Sequence, residues 1–439
     1  MLDFSKFTLE NGLDVIVHED HRCPIASVNL WYHVGSKNER AGRTGLAHLF
    51  EHLMFEGSAH HDSGYFAPLQ QAGGSLNGST NCDRTNYWEV VPTNALELAL
   101  WLESDRLGYL LPALTSEKFE NQREVVLNER RQTYENRPYG LALMALTASL
   151  FATDHPYHWT TIGHADDIRA ATLDDAHAFF QTYYHPGNAS LTVAGDVDTA
   201  AVLELVRQHF EEIPAGPPIP PVRIGENSGR GAAPRPEDTR LRLEDRVALP
   251  RLYLAWRSPG LFAEGDAGMD LVAEVLAGGK TSRLYRRLVH ERQIATDVNA
   301  SQGSRELDGW FSIVATAAPG HELVELEQAI DDELHALAES GPDEAELARC
   351  LTQVDVQFIY RLQTVGGFNG RSDQLNAYNV YTGDPGFMDQ DRARYRETTA
   401  GQVAGLAQRL REPGRVALSV VPAGSADRAL PGSRPAVVS

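Results

Sequence analysis

The sequence predicts an α+β protein of two homologous domains, each a mixed, mostly antiparallel sheet with helices packed on one side. Three observations predict it. A Pro/Gly-rich stretch divides the 439 residues almost in half, and the same succession of apolar strands and amphipathic helices recurs on either side of it. The length itself implies more than one core, because single cores stop growing at roughly 250–300 residues.

The dividing stretch, Pro214 to Pro236, contains Pro217-Pro218-Ile219-Pro220-Pro221 and then Gly225, Gly229 and Gly231, with few large apolar side chains. Such a composition punctuates a chain and cannot build a core, so it reads as a linker. The expected organisation is a domain at 1–213, a linker at 214–238 and a second domain at 239–439.

Three correspondences support a duplication. The apolar strand at Val28-Asn29-Leu30-Trp31-Tyr32 is echoed by Leu252-Tyr253-Leu254-Ala255-Trp256, each followed by a helical pattern. Asn77 leads into a strand at Tyr87–Val91 and a helix from Ala95 to Leu107; Asn299 leads into Trp310–Ala315 and a helix from Leu323 to Leu337, an offset of about 222 residues. Gly163–Tyr184 and the strand Ala189–Ala194 are echoed by Gly383–Leu410 and Arg415–Val421. Apolar residues alternate in the strands and recur at three and four spacing in the helices, the pattern of sheets with helices packed on them.

Composition excludes several classes. Hydrophobic residues are 42% and charged residues 23%, within the range of soluble globular proteins. A formal charge of -21 repels nucleic acid and anionic membranes, so neither is an expected partner. Cys23, Cys82 and Cys350 are far apart and odd in number, which suggests neither a disulfide framework nor a thiolate metal site. No basic-then-apolar leader opens the chain and no apolar run reaches membrane-spanning length. The compartment expected from the sequence as it stands is cytoplasmic, or periplasmic if a leader was trimmed.

The chemistry concentrates in Gly45-Leu46-Ala47-His48-Leu49-Phe50-Glu51-His52-Leu53-Met54-Phe55, an apolar stretch without a breaker after Gly45, and hence a helix. His48 and His52, at i and i+4, share a face and can reach one ion, with Glu51 beside them to take a proton from water. This is an HxxEH arrangement. A hydrolytic zinc site needs a third protein ligand, and a second helix at Glu117–Glu135 offers Glu120, Glu124 and Glu129, between which spacing does not choose. Gln122 and Glu129 share a face, which lets the amide support the carboxylate. Asn77, Thr80, Asp83 and Tyr87 form a polar run that suits a turn or the wall of a cleft, while His60-His61 and the group His155, His158 and His164 read as ordinary solvated histidines.

These residues resemble the pitrilysin or insulinase-type metallopeptidases, in particular the half-length branch that includes the mitochondrial processing peptidase and its bacterial counterparts. The resemblance spans nearly the whole chain and rests on Leu9-Glu10-Asn11-Gly12-Leu13, Val34-Gly35-Ser36, the HxxEH helix, Gly73-Gly74 with Asn77 and Thr80, and Arg123-Glu124-Val125-Val126-Leu127-Asn128-Glu129. Tyr183-Tyr184-His185-Pro186-Gly187-Asn188-Ala189 and Gly195-Asp196 extend it.

The resemblance implies a zinc endopeptidase with one Zn2+ per chain, held by His48, His52 and Glu129, with Glu51 as general base. It makes Asn77 a substrate-backbone contact, and it places Gln122 where the family often has a second glutamate. It also marks a departure: the Arg and Tyr that active members set opposite the metal read here as Val289 and Thr296, and Met269 and Ala273 stand where second-half histidines would fall. A heterodimer is therefore expected, in which a related subunit without zinc supplies Arg and Tyr around a clamshell chamber that admits unfolded peptides; a homodimer is the alternative. Two rival readings are a catalytically silent assembly subunit that kept the fold, and a zinc amidase acting on small molecules.

Overall fold

The protein is described by a computed structural model covering residues 2–225 and 237–438; the 226–236 part of the linker expected at 214–238 lies outside the described residues. The first half of the chain forms β1 (Ser5–Thr8), β2 (Asp14–Glu19), β3 (Ile25–Tyr32), α1 (Leu46–Leu53), α2 (Phe66–Gln71), β4 (Ser75–Thr80), β5 (Thr85–Pro92), α3 (Leu96–Ala113), α4 (Ser116–Arg130), α5 (Ala142–Leu150), α6 (Ala165–Ala170), α7 (Leu173–Tyr183), β6 (Ala189–Gly195) and α8 (Thr199–Phe210). The second half forms β7 (Thr239–Asp245), β8 (Arg251–Ser258), α9 (Asp266–Ala277), β9 (Ala295–Gly303), β10 (Gly309–Ala317), α10 (Leu323–Ser340), α11 (Glu344–Arg361), α12 (Arg371–Thr382), α13 (Met388–Arg396), α14 (Ala400–Arg409), β11 (Val416–Pro422) and β12 (Arg434–Pro435).

Each half builds a six-stranded mixed sheet. The orders are β1-β2-β6-β3-β5-β4 and β12-β7-β11-β8-β10-β9, so five positions correspond one to one. In both, one inner pair is parallel, β2 with β6 and β7 with β11, and the strands beyond it run antiparallel. The outermost strands differ: β1 pairs antiparallel to β2, whereas β12 pairs parallel to β7. The duplication also survives in helix capping, where α7 and α14 both begin with a threonine, Thr172 and Thr399, whose hydroxyl accepts from the third residue of the helix.

The chain forms two compact units that exchange segments. One consists of residues 1–130, 159–223 and 358–389, the other of 131–158, 224–357 and 390–439. The helix α12 thus belongs with the first sheet and α5 with the second. In the first unit, β3 shows why. Tyr32 packs on Tyr87 and Tyr184 on the side of the helices from its own half. Successive side chains of a strand point to opposite faces, and the alternate residues Ser27, Asn29 and Trp31 meet α12. Trp31 Nε1 donates to Asp373 Oδ1 at 2.9 Å, and Asn376 Nδ2 donates to the Asn29 carbonyl at 2.8 Å. On β6, the hydroxyls of Ser190 and Thr192 donate to Asn376 Oδ1 at 2.8 and 2.9 Å. The helices of one half pack on one side of its sheet, as the patterning predicts, and the helix from the other half covers the second side through hydrogen bonds.

In the second unit, Leu252, Leu254, Phe311 and Ile313 from the sheet interlock with Leu271, Val275, Leu326 and Ile330 from α9 and α10, all fully buried. Each contributes about 1.5–3 kcal/mol relative to exposure.

Candidate metal centre

The helix α1 starts at Gly45, whose φ of 89° lies in the left-handed region. A Cβ there would come within 2.8 Å of Ile168 Cγ1 and 2.9 Å of the Ile162 carbonyl, so glycine is required by conformation and by space. Leu46, Ala47, Leu49, Phe50 and Leu53 are buried, and Phe50 stacks on Phe179 of α7 at 5.7 Å. With that stripe committed to the core, His48, Glu51 and His52 occupy the remaining face, which α4 approaches. On α4, Phe119, Val126, Leu127 and Arg130 are buried and Glu129 is half-exposed.

The two helices bring three donors together. Glu129 Oε2 lies 3.7 Å from His48 Nε2 and 3.4 Å from His52 Nε2, and the donor atoms of all three residues lie within 4.8 Å of one another. Ligands about 2.1 Å from one tetrahedral ion stand roughly 3.4 Å apart, so the set fits zinc. The Nδ1 of His48 is buried without a partner among the described residues. Of the other acids on α4, Glu120 pairs with Arg123 and Glu124 is exposed. Among the described residues, His48, His52 and Glu129 form the one such group of His, Cys, Asp or Glu.

The electrostatics suit a cation. Burial, helped by the neighbouring His52, pushes the His48 imidazole down to about 4, which keeps it neutral and able to ligate near pH 7. Burial works against a charged His52, but its hydrogen bond with Glu129 and the charges of Glu51 and Glu129 outweigh it and raise that ring. The bond with His52, followed by the charges of both rings, lowers Glu129 despite partial burial. Burial raises the Glu51 carboxyl, with Thr80, His52 and Arg84 opposing.

Gln122 donates from its amide to Glu56, three residues past the end of α1, and stands beside His52 of α1. Asn77 is exposed on β4, the end strand of its sheet, opposite Trp88 of β5, with its Oδ1 accepting from the Gly78 N–H at 2.8 Å. β4 packs beside α1 so closely that a Cβ at Gly78 would meet the Phe55 ring at 3.1 Å. An open sheet edge therefore runs alongside the histidine helix.

In the second unit, α9 occupies the place that α1 has in the first, and its Met269 and Ala273 are buried in the apolar core. Val289 packs against the same core, and the Thr296 hydroxyl donates to Asp297 and to the Thr316 carbonyl. The sequence reading missed Glu39, whose carboxylate takes two N–H groups at the start of α1; its spacing matches no capping pattern. The structure also corrects His155, expected to be solvated: it is fully buried and pushed down to about 4 by burial and by Arg257. Cys23 is exposed and Cys82 and Cys350 are buried, and no helix among the described residues is long and apolar enough to cross a membrane.

Comparison with known proteins gives two family matches, one described as "Insulinase (Peptidase family M16)" over residues 14–158 and one as "Peptidase M16 inactive domain" over 170–354. The zinc protease PqqE of Helicobacter pylori is 31% identical over 361 residues, 81% of this chain and 80% of that protein. A crystal structure of a protease from Helicobacter pylori superposes with a TM-score of 0.87 at 26% identity, covering 96% of this chain and all of that one. The periplasmic protease PqqL from Escherichia coli shares the fold at 18% identity and a TM-score of 0.79; 98% of this chain is covered but only 49% of that one. The chain belongs to the insulinase family of peptidases, peptidase family M16.

Proposed function

We propose that the protein is a zinc-dependent endopeptidase acting on unfolded peptides, and that it is the metal-bearing member of a pair of related subunits. The observation that carries this reading is the convergence of His48 Nε2, His52 Nε2 and Glu129 Oε2 from two helices. Those three side chains would hold zinc, and the bound ion supplies a Lewis acid that polarises the scissile carbonyl and acidifies water.

The chain's own groups do the rest. Glu51, one residue before His52 and raised by burial, takes a proton from the attacking water on its carboxylate and returns it to the leaving amine. The free edge of β4 binds an extended peptide as an added strand through backbone hydrogen bonds, with Asn77 on that edge. Gln122 steadies His52. The second unit has Val289 and Thr296 where an Arg and a Tyr are expected, so a related subunit lacking zinc would complete the site. The half-length match to PqqL supports a two-part assembly.

The test is metal content and turnover of a quenched peptide library by the full chain, alone and with the product of the adjacent gene. Stoichiometric zinc and chelator-sensitive cleavage are expected. Glu51→Gln should keep the zinc while cleavage falls by about 10²–10⁴-fold. Absence of both zinc and chelator-sensitive cleavage in either preparation would leave the silent assembly subunit as the reading, and retained turnover in Glu51→Gln would remove Glu51 from its role.

A further inference from the structure

The ligands come from helices far apart in sequence, and α1 is only eight residues long. Something must hold α1 against α4 to within about 0.5 Å for three donors to meet one ion. The structure contains such a frame, made of groups outside the ligand set.

It begins at Glu39. Its Oε2 accepts from the Gly45 N–H at 2.9 Å and its Oε1 from the Ala47 N–H at 2.8 Å, so both oxygens engage N–H groups at the start of α1 that the helix itself leaves unpaired. Next to it, Thr44 donates to Asp167 Oδ2 from its N–H at 3.1 Å and from its hydroxyl at 2.7 Å, and the same hydroxyl accepts from the His164 N–H at 2.8 Å. Between these lies Gly163, with φ at 73°; a Cβ there would fall 2.4 Å from Gly45 N, so the two backbones are in direct contact. The Gly163 carbonyl accepts from Arg130 Nε at 3.2 Å, and Arg130 is a buried residue directly after Glu129. The turn at Gly163 thus touches the start of the histidine helix on one side and the end of the glutamate helix on the other.

We propose that Glu39, Asp167 and Arg130 are positioning residues that, through the turn at Gly163, set the helix of His48 and His52 against the helix of Glu129 and so determine the geometry of the metal site. The inference rests on the metal-centre reading above and adds residues outside the ligand set.

The test uses the full chain and two probes: zinc affinity by competition with a chromophoric chelator, and the visible absorption of the Co2+-loaded protein. Glu39→Ala and Asp167→Ala are expected to weaken zinc about tenfold or more and to reduce the intense absorption of four-coordinate Co2+. Glu39→Gln keeps an acceptor oxygen and should recover part of both. Far-UV circular dichroism and thermal unfolding of the metal-free proteins report folding; if an alanine variant does not fold, Glu39→Gln and Asp167→Asn carry the test through intermediate losses. Folded variants with wild-type zinc affinity and an unchanged Co2+ spectrum would overturn the frame while leaving the metal centre intact. A wild-type Co2+ spectrum indistinguishable from that of His48→Ala would instead overturn the metal-centre reading, and the inference with it.

Discussion

Arg106 of α3 is fully buried, its guanidinium carbon 4.0 Å and 4.1 Å from the ring centroids of Tyr65 and Tyr87. It pairs with Glu103, three residues earlier on α3, and lies 3.5 Å from Glu89 Oε1 on β5. Two buried carboxyls share one cation, and burial, followed by the charge of Glu103, raises Glu89 well above the usual carboxylate range. Glu89 accepts from the Tyr65 hydroxyl at 3.0 Å, and its burial favours the neutral form. Two substitutions test this. Arg106→Met fills similar volume but strands a buried carboxylate, at a cost of about 3–5 kcal/mol, and loses cation–π contacts with Phe55, Tyr65 and Tyr87 worth at least about 0.5 kcal/mol each. The expected loss is at least about 4–5 kcal/mol. Glu89→Gln replaces a neutral acid by an isosteric amide that still accepts from Tyr65, and should cost less than about 1 kcal/mol. Urea unfolding followed by tryptophan fluorescence measures both. A Glu89→Gln loss as large as that of Arg106→Met would refute the neutral assignment.

Asp373→Ala removes the acceptor for Trp31 Nε1, Asn86 Nδ2 and the Asn369 N–H; with each stranded donor costing about 1–3 kcal/mol, faster amide exchange in β3 and β6 and proteolysis within 358–389 are expected. For His155, held near 4 when folded against about 6.5 when unfolded, the unfolded chain binds the proton first as pH falls, so stability drops between pH 6.5 and 4 by up to about 3 kcal/mol; His155→Gln should flatten that slope in urea titrations. Asp270 acts oppositely. Burial pushes it up to about 7, so its contribution is full below its unfolded value of about 3.9 and is lost as pH rises towards 7; Asp270→Asn should remove that decline. Zinc at a thousandfold excess over its Kd should stabilise the protein by about 4 kcal/mol, and a thermal shift on chelation that persists in Glu129→Ala would count against Glu129 as a ligand.

Much of the first site was legible because its signals are local. His48, Glu51 and His52 lie within one and a half turns of a helix, and i, i+4 spacing alone puts both imidazoles on one face. The third ligand was not legible from spacing, since Glu120, Glu124 and Glu129 all lie on one helix; family resemblance pointed to Glu129, and the packing of α4 on α1 brings that carboxylate to the imidazoles. The duplication was legible from strand and helix order, although the orientation of the outermost strands was not. Glu39, Asp167 and Arg130 gave no signal, because each bonds to backbone groups, Glu39 six and eight residues ahead at no capping spacing and the other two across the fold, and such a bond leaves no mark on the identity of its partner.

The sequence by itself determined the elements, their repeat and the histidine pair, because hydrophobic periodicity and i, i+4 geometry are properties of neighbouring residues. Only the tertiary structure decided which helix covers the far side of each sheet. In β3 the pattern Ser27, Asn29, Trp31 looks like an ordinary solvent-facing edge of an amphipathic strand, yet it is buried under α12 and satisfied by Ser372, Asp373 and Asn376. Polar residues are equally at home in water or against a complementary polar helix, so their pattern cannot distinguish the two; the choice is made when the chain folds back from more than three hundred residues away.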